Sequence, residues 1–96
     1  MSELDESAGF TVAEAETTVV ANDGTIVSED VKALLDEDGN PVALDDLVTV
    51  EAPDGSSAFD EVISVADEDG NLIPVEETVG VIDVDGNIAI AEGSID

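Results

Sequence analysis

The chain has 96 residues, enough for one small domain, and it carries 26 acidic residues against a single basic residue, Lys32, for a net charge of −25. It contains no Cys and no His, which excludes a disulfide framework, a zinc–thiolate site and the commonest general base. A chain this negative repels nucleic acid and anionic lipid, so we expect neither as a partner.

Apolar residues make up 43% of the chain, which argues against the disorder that such a charge usually indicates. Folding in concentrated salt reconciles the two properties, because the Debye length falls to about 3 Å at 1 M salt and self-repulsion is then screened. Abundant Asp and Glu with almost no Lys or Arg favours a protein of an extreme halophile over an acidic mesophilic protein.

The first segment, residues 1–9, is acidic and rich in small side chains, and we predict that it forms a flexible N-terminal arm. Its charge is opposite to that of a signal peptide, and no apolar run in the chain approaches the roughly 18 residues of a membrane span. We therefore expect a soluble protein that is made in the cytoplasm and has no membrane partner. Residues 10–96 are predicted to form a single β domain.

Two kinds of residue pair recur along this domain, Asp-Gly pairs and pairs of adjacent acidic residues. Asp-Gly pairs recur with their glycines 15 or 16 residues apart, at Asp23-Gly24, Asp38-Gly39, Asp54-Gly55, Asp69-Gly70 and Asp85-Gly86. A second acidic pair follows each of the first four, at Glu29-Asp30, Asp45-Asp46, Asp60-Glu61 and Glu76-Glu77. The apolar runs between them predict short antiparallel strands joined by Asp-Gly turns.

The predicted fold class is therefore all-β, a small barrel or sandwich of short strands. A fixed period also raises the alternative of a solenoid, although the repeated units differ in detail. A helix from Ser28 to Gly39 is a second alternative, with Ser28 as N-cap and Val31, Leu34 and Leu35 at helical spacing. The strand interpretation of Val31 to Leu35 agrees better with the repeat.

The last Asp-Gly pair predicts a two-residue type I′ turn, in which Val84 faces Asn87 and Ile82 faces Ala89. Both faces of this hairpin are then apolar, so one should line the domain core and the other should be covered by a neighbouring subunit. In that register one face carries Val79, Val81, Ile88 and Ile90, and the other carries Ile82, Val84, Ala89 and Ala91.

The repeated phrase Asp-x-Asp-Gly-Asn resembles part of an EF-hand calcium loop. When its glycine takes the sixth position, acids fall at positions 3, 5 and 12, but position 1 is apolar in all three copies: Leu34, Val65 and Val81. We therefore predict no specific metal site, and only loose binding of hydrated cations along the turns. A cation-binding β module stays as an alternative.

No other motif indicates chemistry. Nucleophile elbow, phosphate-binding loop and dinucleotide fingerprint are all missing from the sequence, so we predict no catalytic residue, no cofactor and no enzyme activity. Phe59 is predicted to lie in the core. Lys32 is predicted to be a local charge partner of Glu29 or Asp36.

The stretch VKALLDEDGNPVALDD, followed by VISVADEDGNLIPVEETVGVIDVDGNIAI, resembles the small head decoration (cement) proteins of tailed viruses. It has their short strands, Asp-x-Asp-Gly turns and Val-Gly-Val segment, over about residues 31–91. The resemblance implies a structural virion protein on the outer capsid, often a homotrimer, whose partners are capsid protein and sister subunits. The acidic composition adds that the virus infects a haloarchaeon. The alternative is an interaction, tail or accessory module of a halophile, in the cytoplasm or outside the cell.

The charge of −25 predicts that stability depends strongly on salt. At low ionic strength the carboxylates repel one another unscreened, and the isolated chain should lose stability or unfold. We expect the melting temperature to rise steadily from about 0.1 M to about 3 M KCl, because screening removes that repulsion. A melting temperature that stays flat over this range would contradict the halophilic interpretation.

Overall fold

The computed structural model describes residues 9–95, and in that range the chain forms six β-strands and no helix. The strands are β1 (Thr11–Val20), β2 (Ile26–Leu35), β3 (Pro41–Glu51), β4 (Ser57–Ala66), β5 (Leu72–Ile82) and β6 (Ile88–Ser94). The predicted all-β class is confirmed, and β2 occupies the segment for which a helix was the alternative. The predicted arm, residues 1–9, lies outside the described residues except for Gly9.

All six strands belong to one antiparallel sheet whose order, β1-β2-β3-β4-β5-β6, is that of the chain. The sheet is open, because within residues 9–95 β1 pairs only with β2 and β6 only with β5. The predicted barrel or sandwich is therefore wrong. Closure needs the first strand to pair with the last, and a sandwich needs two sheets packed face to face, whereas all six strands belong to one sheet. Here every connection is a tight hairpin that returns the chain beside the strand it has just left.

The strands are also longer than expected, with 10 or 11 residues in each of β1–β5. The second acidic pairs, predicted to lie between strands, lie in the middle of β2, β3, β4 and β5 instead. Successive side chains of a strand point to opposite faces of the sheet. An adjacent pair such as Glu29-Asp30 therefore places one carboxylate on each face and does not interrupt the strand.

Each of the five connections is a three-residue hairpin loop. In the last one, the Gly86 N–H donates to the Asp83 carbonyl at 3.0 Å, and the Asp83 N–H donates to the Asn87 carbonyl at 3.0 Å. The same two bonds close the other four loops. The third loop residue is always a glycine with φ between 86° and 95°: Gly24, Gly39, Gly55, Gly70 and Gly86. This is the three-residue loop in which a turn is followed by a left-handed glycine, rather than a two-residue type I′ turn.

The extra loop residue changes the register of the last hairpin. Ile82 faces Ile88, and Val81 faces Ala89. The prediction that Ile82 and Ile88 point to opposite faces is therefore wrong, since directly opposed residues share a face. A one-residue error in loop length moves every side chain of the second strand to the other face.

The register assigns each strand residue to one of two faces. Face 1 includes Glu14, Glu16, Asp30, Lys32, Asp45, Leu47, Phe59, Glu61, Thr78, Gly80, Ile82, Ile88 and Ile90. Face 2 includes Ala15, Glu29, Val31, Asp46, Val48, Val50, Ala58, Asp60, Val62, Glu77, Val79, Val81, Ala89 and Ala91. Each face has apolar side chains towards the ends of the strands and carboxylates across the middle.

A single layer of sheet cannot enclose a core, and within residues 9–95 no apolar side chain is buried. The accessible surface is 6552 Å², whereas a compact monomer of this mass exposes about 5,200 Å². The radius of gyration is 16.3 Å, against about 12 Å for a compact domain of this length. Phe59, predicted as a core residue, is only half-buried.

Phe59 packs closely against Gly80, which faces it across β4 and β5. A Cβ atom added to Gly80 would lie 2.6 Å from Phe59 Cζ and closer still to Cε2, so the ring covers the glycine. An aromatic ring over a cross-strand glycine shields the backbone from water and holds the ring in place. Any side chain at position 80 would displace the ring.

We predict that Gly80→Ala destabilises the sheet by about 1–3 kcal/mol, the usual cost of overpacking. The melting temperature should fall by at least about 4 °C. Gly93→Ala is the matched control, because a Cβ at Gly93 meets nothing within 4 Å. The control should be neutral or slightly stabilising, since alanine restricts the unfolded chain. Equal effects of the two substitutions in thermal unfolding would refute the packing role of Phe59.

Candidate interaction surfaces

Exposed apolar side chains occur on β1 and on the hairpin of β5 and β6, and the hairpin exposes them on both faces. On face 1, Ile88 and Ile90 are 64% and 59% exposed; on face 2, Val79 and Val81 are 42% and 48% exposed. Soluble monomers rarely leave contiguous apolar strands in water on both sides. The expectation that both faces of this hairpin are apolar is confirmed, although the residues are distributed differently from the prediction.

An apolar cleft of about 420 Å³ opens at one end of the sheet, between the β3–β4 and β5–β6 loops. Its walls include Val50, Ala58, Val81, Ile88 and Ala89. Ser56 and Ser57 supply hydroxyl groups there, and the Ser56 hydroxyl donates to Asp54 Oδ1 at 2.6 Å.

A second cleft, about 490 Å³, lies at the opposite end of the sheet between the β2–β3 and β4–β5 loops. Asp36, Asp67, Glu68 and Asp69 line it, so it is strongly acidic. The carboxylates that begin the two loops already accept backbone hydrogen bonds. Asp36 Oδ1 accepts the N–H groups of Asp38 and Asn40, each at 2.9 Å, and Asp67 Oδ1 does the same for Asp69 and Asn71.

The repeated segment Asp-x-Asp-Gly-Asn thus contains each residue type that forms this hairpin loop. Its first Asp accepts backbone N–H groups within the turn, its Gly supplies the left-handed residue, and its Asn resumes the strand. Asp83 serves the third copy in the same way, with Oδ1 accepting the N–H groups of Asp85 and Asn87. In the two loops that lack a leading Asp, Asp23 and Asp54 accept from the residue two positions on.

The carboxylates at the third and twelfth positions of the calcium comparison do not form a common site. Asp36 lies in a loop, whereas Asp45 lies inside β3, opposite Lys32 and Ile63. Among the described residues, the three carboxylates close enough to share one ion are Glu14, Glu16 and Asp30, whose oxygens lie within 4.8 Å of one another. All three are partly or fully exposed, and Glu14 and Asp30 also form one of four carboxyl pairs.

Four pairs of carboxyl groups cross the middle of the sheet, each joining neighbouring strands. The carboxyl pairs are Glu14/Asp30, Glu29/Asp46, Asp45/Glu61 and Asp60/Glu77, and they alternate between face 1 and face 2. Each pair is diagonal in the register; Glu29 faces Val48, for example, while Asp46 faces Val31. Diagonal neighbours on a sheet lie within reach of long side chains.

Each carboxyl pair raises the pKa of its glutamate. For Glu14, Glu29 and Glu77 the largest cause is a hydrogen bond to the paired aspartate, followed by the charge of that aspartate. For Glu61 the hydrogen bond to Asp45 also raises the pKa most, and desolvation comes second. When both members are ionised, neither has a proton to donate. Each aspartate then has a buried Oδ1 without a partner: Asp30, Asp45, Asp46 and Asp60.

Lys32 lies on face 1 between Glu14 of β1 and Asp45 of β3. Its charge lowers the pKa of Glu14 and Glu61, but less than their aspartate partners raise it. The predicted partner Glu29 lies on face 2, the opposite side of the sheet, so that pairing is wrong. Sequence proximity suggested Glu29, whereas the strand alternation separates it from Lys32.

Comparison with protein-family models, with curated proteins and with solved structures gave no match in any of the three. No helix within residues 9–95 is long and apolar enough to cross a membrane.

The carboxyl pairs predict an unusual pH dependence. A glutamate whose pKa is raised in the folded state binds its proton more tightly there than in the unfolded chain. Its contribution to folding stability is therefore complete below the ordinary pKa of 4.5 and is lost as pH rises through the raised pKa. We expect the melting temperature at constant salt to rise as pH is lowered from about 8 to about 5. This range stays above the isoelectric point of 4.1.

Glu77→Gln should raise the melting temperature at pH 8 and flatten its pH dependence, because the amide supplies a donor to Asp60 and removes a charge. Glu68→Gln, in a loop outside the carboxyl pairs, is the matched control for net charge. Below pH 3.8 the trend should reverse, since the hydrogen bonds to Asp23, Asp54 and Asp83 lower the pKa of those groups. A melting temperature that falls between pH 8 and pH 5 would contradict the assignment.

Proposed function

We propose that the chain is a structural interaction module whose open sheet is completed by other protein surfaces. We further propose that, in this role, it decorates the outer capsid of a tailed virus of a halophilic host. The observation that carries the first step is the uncovered sheet: six strands, exposed apolar side chains on both faces and no buried apolar side chain within residues 9–95. The second step has its support in the sequence resemblance to head decoration proteins.

The size of a face suits this role. Six strands about 4.8 Å apart and about ten residues long give each face roughly 900 Å². A partner in a standard protein–protein interface buries about 800 Å². Covering one face would therefore bury as much surface as a stable interface requires, and it would supply the second layer that the chain does not provide for itself.

The chemistry of the chain favours contact over catalysis. The acidic side chains whose geometry was described above accept hydrogen bonds within loops or face one another across strands. The apolar cleft between the β3–β4 and β5–β6 loops is continuous with the exposed side chains of β5 and β6. Such a surface binds an apolar protein patch, and its acidic surroundings keep the free chain soluble in concentrated salt.

The capsid assignment is tested on purified virions from halophilic cultures that carry the gene. We expect the chain in many copies per particle, exposed on the outside and accessible to antibody labelling by electron microscopy. The gene should lie beside that of a major capsid protein. Detection of the chain only in the cell fraction, never in purified particles, would refute the capsid assignment and leave the cellular interaction module.

The attaching face can be identified by adding a charge to each face in turn. Val81→Asp alters face 2 and Ile88→Asp alters face 1; Val84→Asp adds the same charge to an exposed loop residue as the control. We expect one of the two strand variants to keep its β-sheet circular dichroism and to lose co-sedimentation with capsids by at least about tenfold, the effect of removing an interface anchor. Undiminished binding of both folded variants would contradict attachment through this hairpin.

A further inference from the structure

We infer that copies of this chain join edge to edge, with β6 of one copy pairing antiparallel to β1 of the next and extending the sheet. This inference goes beyond the proposed function, because the edges are available whichever partner covers a face. It rests on the free edges, on the internal repeat of the sheet and on the distribution of charge.

Within residues 9–95 both edges of the sheet are open and regular. All ten residues of β1 and all seven of β6 are exposed. An edge strand is commonly protected by charged side chains, a proline or a bulge. Here the charged side chains are Glu14 and Glu16 of β1 and Glu92 of β6, and concentrated salt screens them. Neither β1 nor β6 contains proline or lysine, and the two register shifts of the sheet lie between β2 and β3 and between β4 and β5. Both outer edges thus present unpaired backbone groups in an uninterrupted strand.

The sheet repeats itself every two strands. The opposed pair Asp30↔Leu47, between β2 and β3, recurs 31 residues later as Glu61↔Thr78, between β4 and β5. Ile26↔Glu51 likewise recurs as Ser57↔Ile82. By the same repeat β6 is equivalent to β2 and β4, and β1 is equivalent to β3 and β5. The chain therefore already contains, twice, the type of interface that β6 and the next β1 would make.

Continuing the repeat fixes the register of the new interface. Ile88 would face Val20 of the partner subunit, and Ile90 would face Thr18 of the partner subunit. The number of strands is even, so β6 and the next β1 run antiparallel, as at every internal interface. The apolar end of β6 then meets the apolar end of β1, and the extended sheet keeps face 1 continuous with face 1.

Charge distinguishes edge pairing from stacking of faces. Two copies stacked face to face would bring the carboxyl pairs of one against those of the other, and like charges in a desolvated interface are costly. Edge pairing opposes only Glu92 and Glu16 of the partner subunit directly. The sheet already accepts such an opposition internally, where Glu16 faces Asp30. Concentrated salt screens what remains.

Cysteine cross-linking tests this register without interference, because the chain has no Cys. Thr18→Cys and Ile90→Cys are prepared as separate proteins, mixed in molar KCl and oxidised. Directly opposed residues of antiparallel strands have Cα atoms about 4.5–5.5 Å apart, within the range that a disulfide accepts. Val12→Cys mixed with Ile90→Cys is the control, since Val12 shares strand and face with Thr18 but lies about 20 Å further along.

We expect the Thr18→Cys and Ile90→Cys mixture to give at least about tenfold more mixed dimer than the control, because only that pair meets the disulfide geometry. The double variant should give a ladder of covalent oligomers, as head-to-tail contacts that do not close require. Circular dichroism verifies that every variant keeps its sheet. Equal cross-linking in the control, or dimers of Ile90→Cys alone in equal yield, would overturn the inference, as would the absence of any cross-linked product from folded protein.

Discussion

A single layer of β-sheet satisfies the backbone hydrogen bonds of its inner strands but leaves the side chains of both faces in solvent. In this chain each three-residue loop returns the next strand directly beside the last, and within residues 9–95 β1 and β6 do not pair, so the sheet stays a single open layer. The lack of a core, the exposed hairpin of β5 and β6, and the free edges are all consequences of this topology.

The acidic residues divide into two structural roles. In the loops, the side chains of Asp36, Asp67 and Asp83 accept hydrogen bonds from backbone N–H groups. They therefore stabilise the turns that set the register. The acidic residues of the strands form the carboxyl pairs, in which like charges meet and stability depends on salt or protons. The same pairs oppose the stacking of identical faces, so they protect a coreless sheet from indiscriminate self-association while leaving its apolar ends available.

The sequence was sufficient to predict the class of fold but not the layer architecture. Asp-Gly pairs between β-branched runs correctly indicated β-structure, and the regular spacing of the glycines corresponds to the nearly equal strands. The wrong prediction of short strands began with Glu29-Asp30 and the equivalent acidic pairs, which were interpreted as breaks between strands. In a strand exposed on both faces, adjacent acids are acceptable because each reaches solvent on its own side. A protein with a core would bury one of them, so the barrel or sandwich and the short strands were predicted together.

The details of the surfaces could be predicted less well. The two-residue turn assumed for Asp85-Gly86 moved Ile88 to the wrong face, since register depends on a single loop residue. The carboxyl pairs could not be predicted from the sequence, because their members, such as Glu29 and Asp46, are distant in the chain. They meet only as diagonal neighbours on adjacent strands, which requires the strand register. The contact of Phe59 with Gly80 has the same origin: a glycine within a β-strand can indicate close approach of another group, but only the register identifies the ring.

The central claim is that the folded state of this chain depends on contact with another surface, and the concentration dependence of thermal unfolding tests it most directly. In about 3 M KCl, where self-repulsion is screened, the melting temperature should rise with protein concentration, because association stabilises only the folded sheet. Sedimentation measured on the same samples should show larger species at higher concentration. A monomer at every concentration, with one cooperative transition at an unchanged melting temperature, would contradict the account.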